Sequence, residues 1–319
     1  MDRSRVLVIG AGVNGSVCAA SLFNAGMDVT LLARSKRLEE IKNEGIVIED
    51  PFNKKRTVSR VPVIDHLDPK DLYDYVLVVI RKNQVAGVLP MLAQNGSPNI
   101  VFMGNNLSGP GEYVEILGRP RVMMGAVYAA GKRDGNLIRA MVSRSLAAPF
   151  GEIDGRLTPR LKRLLNIFRQ AGFKAEASTD IVDFQTTHAV AVALIASLVI
   201  KHGCDSYALG RSLDDLMLYA HALREAHQVL HALGRRIIPW TDALMGKLPA
   251  FLQVAGLRLM LGSKLGEVGL AWHCSQAPDE MEQLAAELEA LVEEAGLPVP
   301  AIRKVLGMGA LKPELLKIG

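Results

Sequence analysis

The sequence predicts an α/β protein in which a doubly wound parallel sheet is followed by a second, all-helical domain. Short aliphatic runs alternate with amphipathic segments from residue 5 to about residue 175, as in βαβ units. A glycine-rich turn follows the first of these runs. Long helical patterns without a convincing strand fill the chain after Asp180. We therefore predict domains at residues 1–178 and 179–319.

The composition is that of a globular protein long enough for two cores. The chain has 319 residues, of which 49% are hydrophobic and only 5% aromatic, so its apolar content is mainly aliphatic. The longest uncharged apolar run, residues 189–200, is shorter than the roughly 18–20 residues of a membrane span. A net charge of +4 is too small to favour nucleic acid. We expect neither a membrane nor a nucleic acid as partner.

The three cysteines lie far apart in the chain. Cys18, Cys204 and Cys274 are odd in number and lack the spacing of a zinc site or a disulfide framework. The apolar run at the N-terminus opens a glycine loop and does not resemble an export signal. These features predict a cytoplasmic protein without a metal.

The N-terminal half contains the elements of an open sheet. Its aliphatic runs are short enough for strands, and runs without alternation are typical of strands buried on both faces. The predicted strands are Arg5–Ile9, Met27–Leu32, Tyr75–Ile80 and Asn99–Met103, the predicted helices are Asn14–Ala25 and Thr158–Ala171, and antiparallel strands are expected within Met123–Phe150.

The C-terminal half reads as helices separated by glycines. Glycine ends a helix readily, and Gly234, Gly262 and Gly296 each follow a helical pattern. The predicted helices are Thr186–Lys201, Ser212–Leu233, Pro239–Leu261 and Asp279–Ala295.

The strongest local signal is a glycine loop between the first strand and the first helix. It comprises Gly10, Ala11, Gly12, Val13, Asn14 and Gly15. In a Rossmann-type βαβ unit the first glycine permits the tight turn, the second lets a pyrophosphate approach the backbone, and the third lets helix and strand pack closely. The free N–H groups of the helix N-terminus then face the phosphates. The loop therefore predicts a dinucleotide site, with a structural turn as the alternative.

The end of the second strand favours NADP over NAD. An acidic residue at this position binds a ribose 2′-hydroxyl and excludes a 2′-phosphate, yet the first carboxylate after this strand is Glu39. Arg34 can stack on adenine and pair with the phosphate, and Ser35, Lys36 and Arg37 offer further donors. An ordinary basic loop is the alternative.

Several segments, in order and spacing, resemble the ketopantoate reductase family, whose fold is of the 6-phosphogluconate-dehydrogenase type. They are the glycine motif, "VLVVIRKNQV", "NIVFMGNNLSG", "GAVYAAGKRDGNLI", "LKRLLNIFRQAGFKAEASTDI", "REAHQVLHALG" and "DEMEQLAAELEALVEEAGLPVPAI". The resemblance covers nearly the whole chain. It implies an NADPH-dependent reductase of 2-oxo acids.

The resemblance also implies positions for several functional side chains. The family's lysine after its fourth-strand-like run falls on Arg81, and its asparagine near the nicotinamide falls on Asn105. The glutamate that touches cofactor and substrate falls on Glu280, and a further cofactor contact falls on Ala130. We expect Asn105 and Glu280 to be catalytic and Gly10–Gly15, Arg34, Arg81, Asn105, Ala130 and Glu280 to contact the cofactor.

The family's catalytic lysine and the polar residues that follow it are replaced. Alignment puts the lysine at Thr186 and the next two positions at Val190 and Leu194, so a polar helix face has become aliphatic. His188 is the nearest replacement acid, because histidine changes protonation near neutral pH. His273 is a second candidate, and a packed core histidine is the alternative for either. The family's substrate-binding serine falls near Val268.

Together these observations predict an NADP-dependent oxidoreductase. It would pass a hydride between the nicotinamide and a carbonyl, hydroxyl or imine carbon of a small substrate. The apolar face of Val190, Leu194 and Leu198 suggests a substrate less polar than ketopantoate, unless these side chains pack in the core. A non-catalytic NADP-binding sensor or partner subunit is the alternative function. A homodimer through the long helices is compatible with both.

Overall fold

The computed structural model of the protein describes residues 4–127, 129–143 and 146–309. The chain forms two compact units. One contains Met1–Gly104 and Gly109–Val182, and the other contains Asn105–Ser108 and Asp183–Gly319. The second unit thus takes in a four-residue segment from the first half of the sequence, which no sequence pattern marked.

The first unit alternates strands and helices along the chain. Its elements are β1 (Arg5–Ile9), α1 (Val13–Asn24), β2 (Asp28–Leu32), α2 (Ser35–Glu44), β3 (Ile46–Glu49), β4 (Arg56–Ser59), β5 (Val63–Ile64), β6 (Tyr75–Val78), α3 (Leu89–Gln94), β7 (Ile100–Phe102), α4 (Gly111–Leu117), β8 (Val122–Gly125), β9 (Ala129–Asp134), β10 (Leu137–Val142), β11 (Ala147–Glu152), α5 (Pro159–Gln170) and β12 (Lys174–Ala177). The main predicted strands and helices of this half are confirmed, with ends that move by one or two residues.

The strands form two sheets. The larger has the order β12-β11-β8-β7-β6-β1-β2-β5, and the smaller has the order β4-β3-β10-β9. β1 pairs in parallel with both β2 and β6, with Ile9 opposite Leu32 on one side and opposite Val78 on the other. The next strand along the chain, β2, lies on one side of β1, and the later strand β6 lies on the other side. The strand order therefore reverses at β1, which is the kind of switch point where doubly wound sheets bind ligands.

The expected antiparallel strands within 123–150 are present in part. β9 and β10 form an antiparallel pair in the smaller sheet, and β11 runs antiparallel to β8. β8 itself is parallel to β7 and extends the main sheet. The main sheet is held by aliphatic side chains buried on both of its faces, such as Leu7 and Leu77, each 0% exposed.

The second unit is helical. Its elements are α6 (Ile181–Lys201), α7 (Ser206–Arg211), α8 (Leu213–Ala232), α9 (Trp240–Lys247), α10 (Ala250–Leu261), α11 (Lys264–Gly266), a π-helical turn (Glu267–Ala271), α12 (Trp272–Gln276), α13 (Pro278–Ala295) and α14 (Pro300–Gly309). Within its described residues the unit contains no strand, as predicted. α6 is long and apolar enough to cross a membrane, but 72% of its apolar window is buried inside the protein. It is the core helix of this unit.

One helix prediction is wrong. The segment predicted as a single helix, Pro239–Leu261, forms α9 and α10, which are bent by 120° at the break between them. Pro249 is the N-cap of α10. A proline at this position lacks an N–H donor and clashes with the preceding turn, so the helix ends before it.

Candidate active site

The glycine loop after β1 has the backbone that a dinucleotide cradle requires. Gly10 has a φ of +111°, and a Cβ at this position would lie 2.4 Å from the Val79 carbonyl oxygen. A Cβ at Gly15 would lie 1.8 Å from the Gly10 carbonyl oxygen. These two glycines are therefore required by the close approach of β1, β6 and α1, as predicted from their spacing.

No contact within the protein requires position 12 to be a glycine. A Cβ added there meets no atom within 4 Å, and the residue is exposed. Gly12 is also the N-cap of α1 and provides no side-chain cap, so the first N–H groups of a twelve-residue helix face this open side. Such an N-terminus attracts phosphate through its N–H groups and its dipole. The residues present therefore fit a pyrophosphate.

The basic turn after β2 divides into two parts. Arg34, Ser35 and Lys36 are exposed at the start of α2, where the sequence places the 2′-phosphate contacts. Arg37 is only 8% exposed. The expectation that Arg37 offers a donor to a phosphate is wrong, because its guanidinium is turned inward and occupied by the protein's own acceptors.

Arg37 holds the glycine loop. Its Nε donates to the Ala11 carbonyl oxygen at 3.2 Å, and its other nitrogens donate to Ser16 Oγ, to Glu40 Oε2 and to the Asn136 side-chain oxygen. Burial lowers the pKa of Arg37, and the hydrogen bond that Arg37 donates to Glu40 opposes this shift. The predicted phosphate ligand is thus a structural support of the cradle.

The remaining predicted cofactor contacts of the first unit lie after β6 and within β9. Arg81 follows β6 and is partly exposed, as is Ala130 in β9, opposite Met141. Lys82 lies 5.0 Å from the centre of the Tyr113 ring and donates to its hydroxyl at 3.2 Å. Ala11, Val13 and Asn14 are partly buried in the glycine loop and the first turn of α1. Their contacts with a cofactor remain predictions.

Asn105 and Glu280 meet in the second unit, although 175 positions separate them. Asn105 Nδ2 donates to Glu280 Oε1 at 3.2 Å, and Glu280, in the first turn of α13, is 4% exposed. A buried carboxylate is costly unless polar partners compensate it. The two residues that the sequence proposed for catalysis therefore form one pair.

His273 is the second partner of Glu280. Its Nε2 lies 3.6 Å from Glu280 Oε2, an ion-pair distance when the imidazole is protonated, and its side chain is 35% exposed. The π-helical turn Glu267–Ala271 immediately precedes α12, which carries His273. Such turns occur often at functional sites, because one extra residue in the turn changes the direction of the side chains that follow. Glu280 is thus placed between an amide and an imidazole.

His188 joins this group from α6. It is partly buried, its ring is parallel to that of Phe184, and it interacts electrostatically with His273. Burial lowers the pKa of His188, and His273 lowers it further. Thr186, the position to which alignment assigned the lysine, is 1% exposed, so His188 is the more accessible side chain of this turn.

The aliphatic positions of α6 belong to the core. Val190, Leu194 and Leu198 are each 0% exposed and pack within the helical unit, and Val268 is also 0% exposed. The interpretation of the first three as a surface for a less polar substrate is therefore wrong. They fill the space that a helical bundle needs to bury.

A further carboxylate, Glu287, supports the segment that carries Asn105. The backbone N–H groups of Leu107 and Ser108 donate to Glu287 Oε2 at 3.1 and 3.2 Å. We did not predict this residue from the sequence. The available signal was its spacing, because Glu280 and Glu287 are seven residues apart on α13 and so share one face of the helix.

Comparisons with known proteins agree with this geometry. Residues 6–152 match the sequence profile of the family described as Ketopantoate reductase PanE/ApbA. Over these residues, which are somewhat less than half of the chain, the protein is similar to the ketopantoate reductase family. A 2-dehydropantoate 2-reductase of Archaeoglobus fulgidus is 29% identical over 185 residues, which are 57% of this chain and 58% of that protein. The match therefore covers little more than half the length of that relative.

Solved structures of ketopantoate reductases share the fold along the whole chain. The 2-dehydropantoate 2-reductase of Geobacter metallireducens GS-15 has a TM-score of 0.78 at 17% identity and covers 95% of this chain and 98% of its own. D-mandelate dehydrogenase in a ternary structure with NADH and anilino(oxo)acetate has a TM-score of 0.80 at 15% identity, over 99% and 100% of the two chains. At these identities the likeness establishes the fold alone.

Proposed function

We propose that this protein is a member of the ketopantoate reductase family and an NADP-dependent oxidoreductase that reduces the carbonyl carbon of a small 2-oxo acid. The observation that carries the proposal is the buried Glu280 carboxylate, which lies between the amide of Asn105 and the imidazole of His273. An isolated buried carboxylate would be unfavourable, and this one is kept within a polar group that includes a second histidine. The names of the relatives, which include 2-dehydropantoate 2-reductases and D-mandelate dehydrogenase, support the substrate class.

The choice of cofactor rests on the glycine loop and on Arg34. The open side of Gly12 at the N-terminus of α1 fits the pyrophosphate, and exposed Arg34 directly after β2 fits a 2′-phosphate. Glu40, a partly buried acid of α2, is paired with Arg37 and Arg133. It is therefore not the carboxylate that would bind a 2′-hydroxyl and reject NADP.

The bound nicotinamide would supply the hydride. The residues of this chain would hold the carbonyl and deliver the proton that the resulting alkoxide oxygen takes up. Because burial lowers the pKa of His188, this imidazole is neutral at neutral pH and keeps one N–H for a hydrogen bond to the carbonyl oxygen. The proton donor that we propose is the protonated form of His273, whose Nε2 lies 3.6 Å from Glu280 Oε2.

The compartment that we propose is the cytoplasm. The three cysteines are free thiols, and Cys18 and Cys274 are buried. Free buried thiols are the usual state of cysteine in a reducing compartment.

The test is NADPH oxidation by the purified full-length protein with ketopantoate and with 2-oxo acids that carry aliphatic or aromatic substituents. We expect turnover with at least one member of the panel. His273→Gln and Glu280→Gln should each lower kcat by about 10²-fold, the usual contribution of general acid catalysis. His188→Gln should lower kcat less than His273→Gln does, because we propose that His188 donates a hydrogen bond to the carbonyl oxygen and that His273 supplies the proton.

Two outcomes would contradict the proposal. Tight NADPH binding without turnover on any substrate would favour a non-catalytic NADP-binding protein. Equal affinity for NADH and NADPH, unchanged by Arg34→Ala, would overturn the choice of NADP. Lys36→Ala is the matched control, because Lys36 is exposed on the same turn.

A further inference from the structure

The π-helical turn Glu267–Ala271 is closed by two hydrogen bonds between the same two residues. The main-chain N–H of Trp272 donates to the Glu267 carbonyl oxygen, five residues back, where an α-helix would use the carbonyl four residues back. The indole Nε1 of Trp272 also donates to Glu267 Oε1 at 3.1 Å. The side-chain bond therefore has the same spacing as the main-chain bond and stabilises the π-helical form of the turn.

The second carboxylate oxygen of Glu267 ties the turn to its neighbours. Glu267 Oε2 accepts from Lys264 Nζ at 2.9 Å and from the Tyr207 hydroxyl at 3.4 Å. The Lys264 ammonium also lies 5.1 Å from the centre of the Trp272 ring. The hydrogen bond from Lys264 lowers the pKa of Glu267 the most, and those from Trp272 and Tyr207 lower it further, so the acceptor is the ionised carboxylate. Glu267 thus joins three side chains around the turn.

The chain is fixed on both sides of this segment. Gly266, directly before the turn, is buried, and a Cβ there would lie 2.6 Å from the Met260 carbonyl oxygen. After α12, Met281 and Leu284 anchor α13 in the core, where they are 4% and 0% exposed. His273 lies on the short helix α12 between these two fixed parts. A change in the turn would therefore be taken up where His273 is.

The form of the turn sets the direction of the His273 side chain. A π-helical turn accommodates one residue more than an α-helical turn. If the turn changed to α-helical hydrogen bonding, that residue would rotate the start of α12 by about 100° around the helix axis. His273 Nε2 now lies 3.6 Å from Glu280 Oε2. A rotation of this size would separate the imidazole from the carboxylate.

We infer that Glu267 is a positioning residue for His273, because it holds the π-helical turn and the turn directs the imidazole toward Glu280. The inference rests on the proposed function, in which His273 supplies the proton. Glu267 acts through Trp272, whose main chain continues directly into His273.

NMR of isotope-labelled histidine side chains tests the inference without substrate. The ring signal of His273, one of seven histidines, is assigned by its loss in His273→Gln. Glu280→Gln should shift this signal, because the carboxylate lies close to the ring. In a Glu267→Ala background the signal should no longer respond to Glu280→Gln, and an unchanged response there would overturn the inference. The measurement needs no turnover, so it decides the inference even if the proposed reaction fails.

Three further variants separate the hydrogen bond from a general loss of stability. Trp272→Phe removes the indole N–H but keeps an aromatic ring, and it should abolish the response of His273 to Glu280→Gln as Glu267→Ala does. Glu267→Gln keeps an oxygen that can accept from Trp272, so it should restore the response. Trp240→Phe is the matched control, because Trp240 is 72% exposed, and it should leave the response intact. A response that persists in Trp272→Phe would contradict the role of the side-chain bond.

The rate of turnover gives an independent double-mutant cycle. Glu267→Ala should lower kcat by about tenfold to 10²-fold, the cost of a misplaced catalytic group. In a His273→Gln background the same substitution should have no further effect on kcat, because the group that it positions is already gone. The same loss of kcat in both backgrounds would show that Glu267 only stabilises the fold, and it would overturn the inference.

Discussion

Arg37 Nε donates a hydrogen bond of 3.2 Å to the main-chain carbonyl oxygen of Ala11, in the glycine loop. The same guanidinium reaches Ser16 and Glu40, so one buried side chain ties the loop to α1 and α2. These hydrogen bonds fix the orientation of the Ala11 carbonyl group and the position of the N–H groups at the start of α1. The cradle is thus preorganised before a dinucleotide binds.

We expect Arg37→Met to weaken both the fold and the cradle. The substitution keeps an apolar stem but removes charged hydrogen bonds, each of which contributes about 1.5–3 kcal/mol. The apparent unfolding free energy should fall by about 2–3 kcal/mol, and the Kd for NADPH should rise about tenfold or more. Chemical denaturation and fluorescence titration measure the two effects. Lys36→Met, on the exposed side of the same turn, should change neither, and an unchanged Kd in Arg37→Met would contradict the role of Arg37.

The glycines of the loop should respond differently to the same substitution. Gly12→Ala adds a methyl group to open space, so the protein should fold with an unchanged Tm but lose NADPH affinity by at least tenfold. Gly15→Ala forces a Cβ against the Gly10 carbonyl, so it should destabilise the first unit itself. Gly111→Ala, also in open space but in α4, is the control for both. Full NADPH affinity in Gly12→Ala would show that the phosphates bind elsewhere.

Glu287 should act on the reaction through Asn105. Glu287→Ala removes the carboxylate that accepts from Leu107 and Ser108, so the segment carrying Asn105 should lose its fixed position. We expect kcat to fall by about tenfold while the pH–rate profile keeps its shape, because no titrating group of the reaction changes. Glu289→Ala, on another face of the same helix, should leave kcat unchanged. A shifted pH profile in Glu287→Ala would instead assign it a direct part in proton transfer.

His227 should make the second unit sensitive to acid. Burial lowers the pKa of His227 to about 4, with a further contribution from His231. In the unfolded chain the pKa is about 6.5, so the unfolded state takes up a proton first as the pH falls. The contribution of neutral His227 to the unfolding free energy is therefore fully present above about pH 7. It is lost as the pH falls from about 6.5 to about 4, and the loss is about 3 kcal/mol at most.

Denaturation curves at pH 7.5, 5.5 and 4.5 measure this loss. His227→Gln should flatten the dependence in this range. His231→Gln, at an exposed position of the same helix, should preserve most of it. A wild-type protein as stable at pH 4.5 as at pH 7.5 would contradict a neutral, buried His227.

The first βαβ unit could be predicted almost residue by residue. Gly10, Gly12 and Gly15 lie within six positions of each other, and their roles depend on the local backbone of a strand, a turn and a helix. The strand Arg5–Ile9 was predicted with its correct ends. Such features are encoded locally, so the amino-acid pattern is sufficient to determine them.

The roles of single polar residues could not be predicted in this way. Arg34 and Arg37 are three positions apart in one basic turn, yet one is exposed and the other is 8% exposed. Their difference depends on the direction of each side chain at the start of α2 and on Asn136, which approaches from a distant part of the chain. A charge count does not contain this information.

The sequence by itself determined the two-part architecture, the glycine cradle and the identity of Asn105 and Glu280 as candidates. Only the tertiary structure decided that Asn105, His273 and Glu280 meet and that the aliphatic face of α6 is core. The reason is physical. Periodicity reports which side chains share a face of an element, whereas the packing of distant elements decides whether that face is buried, paired or left open.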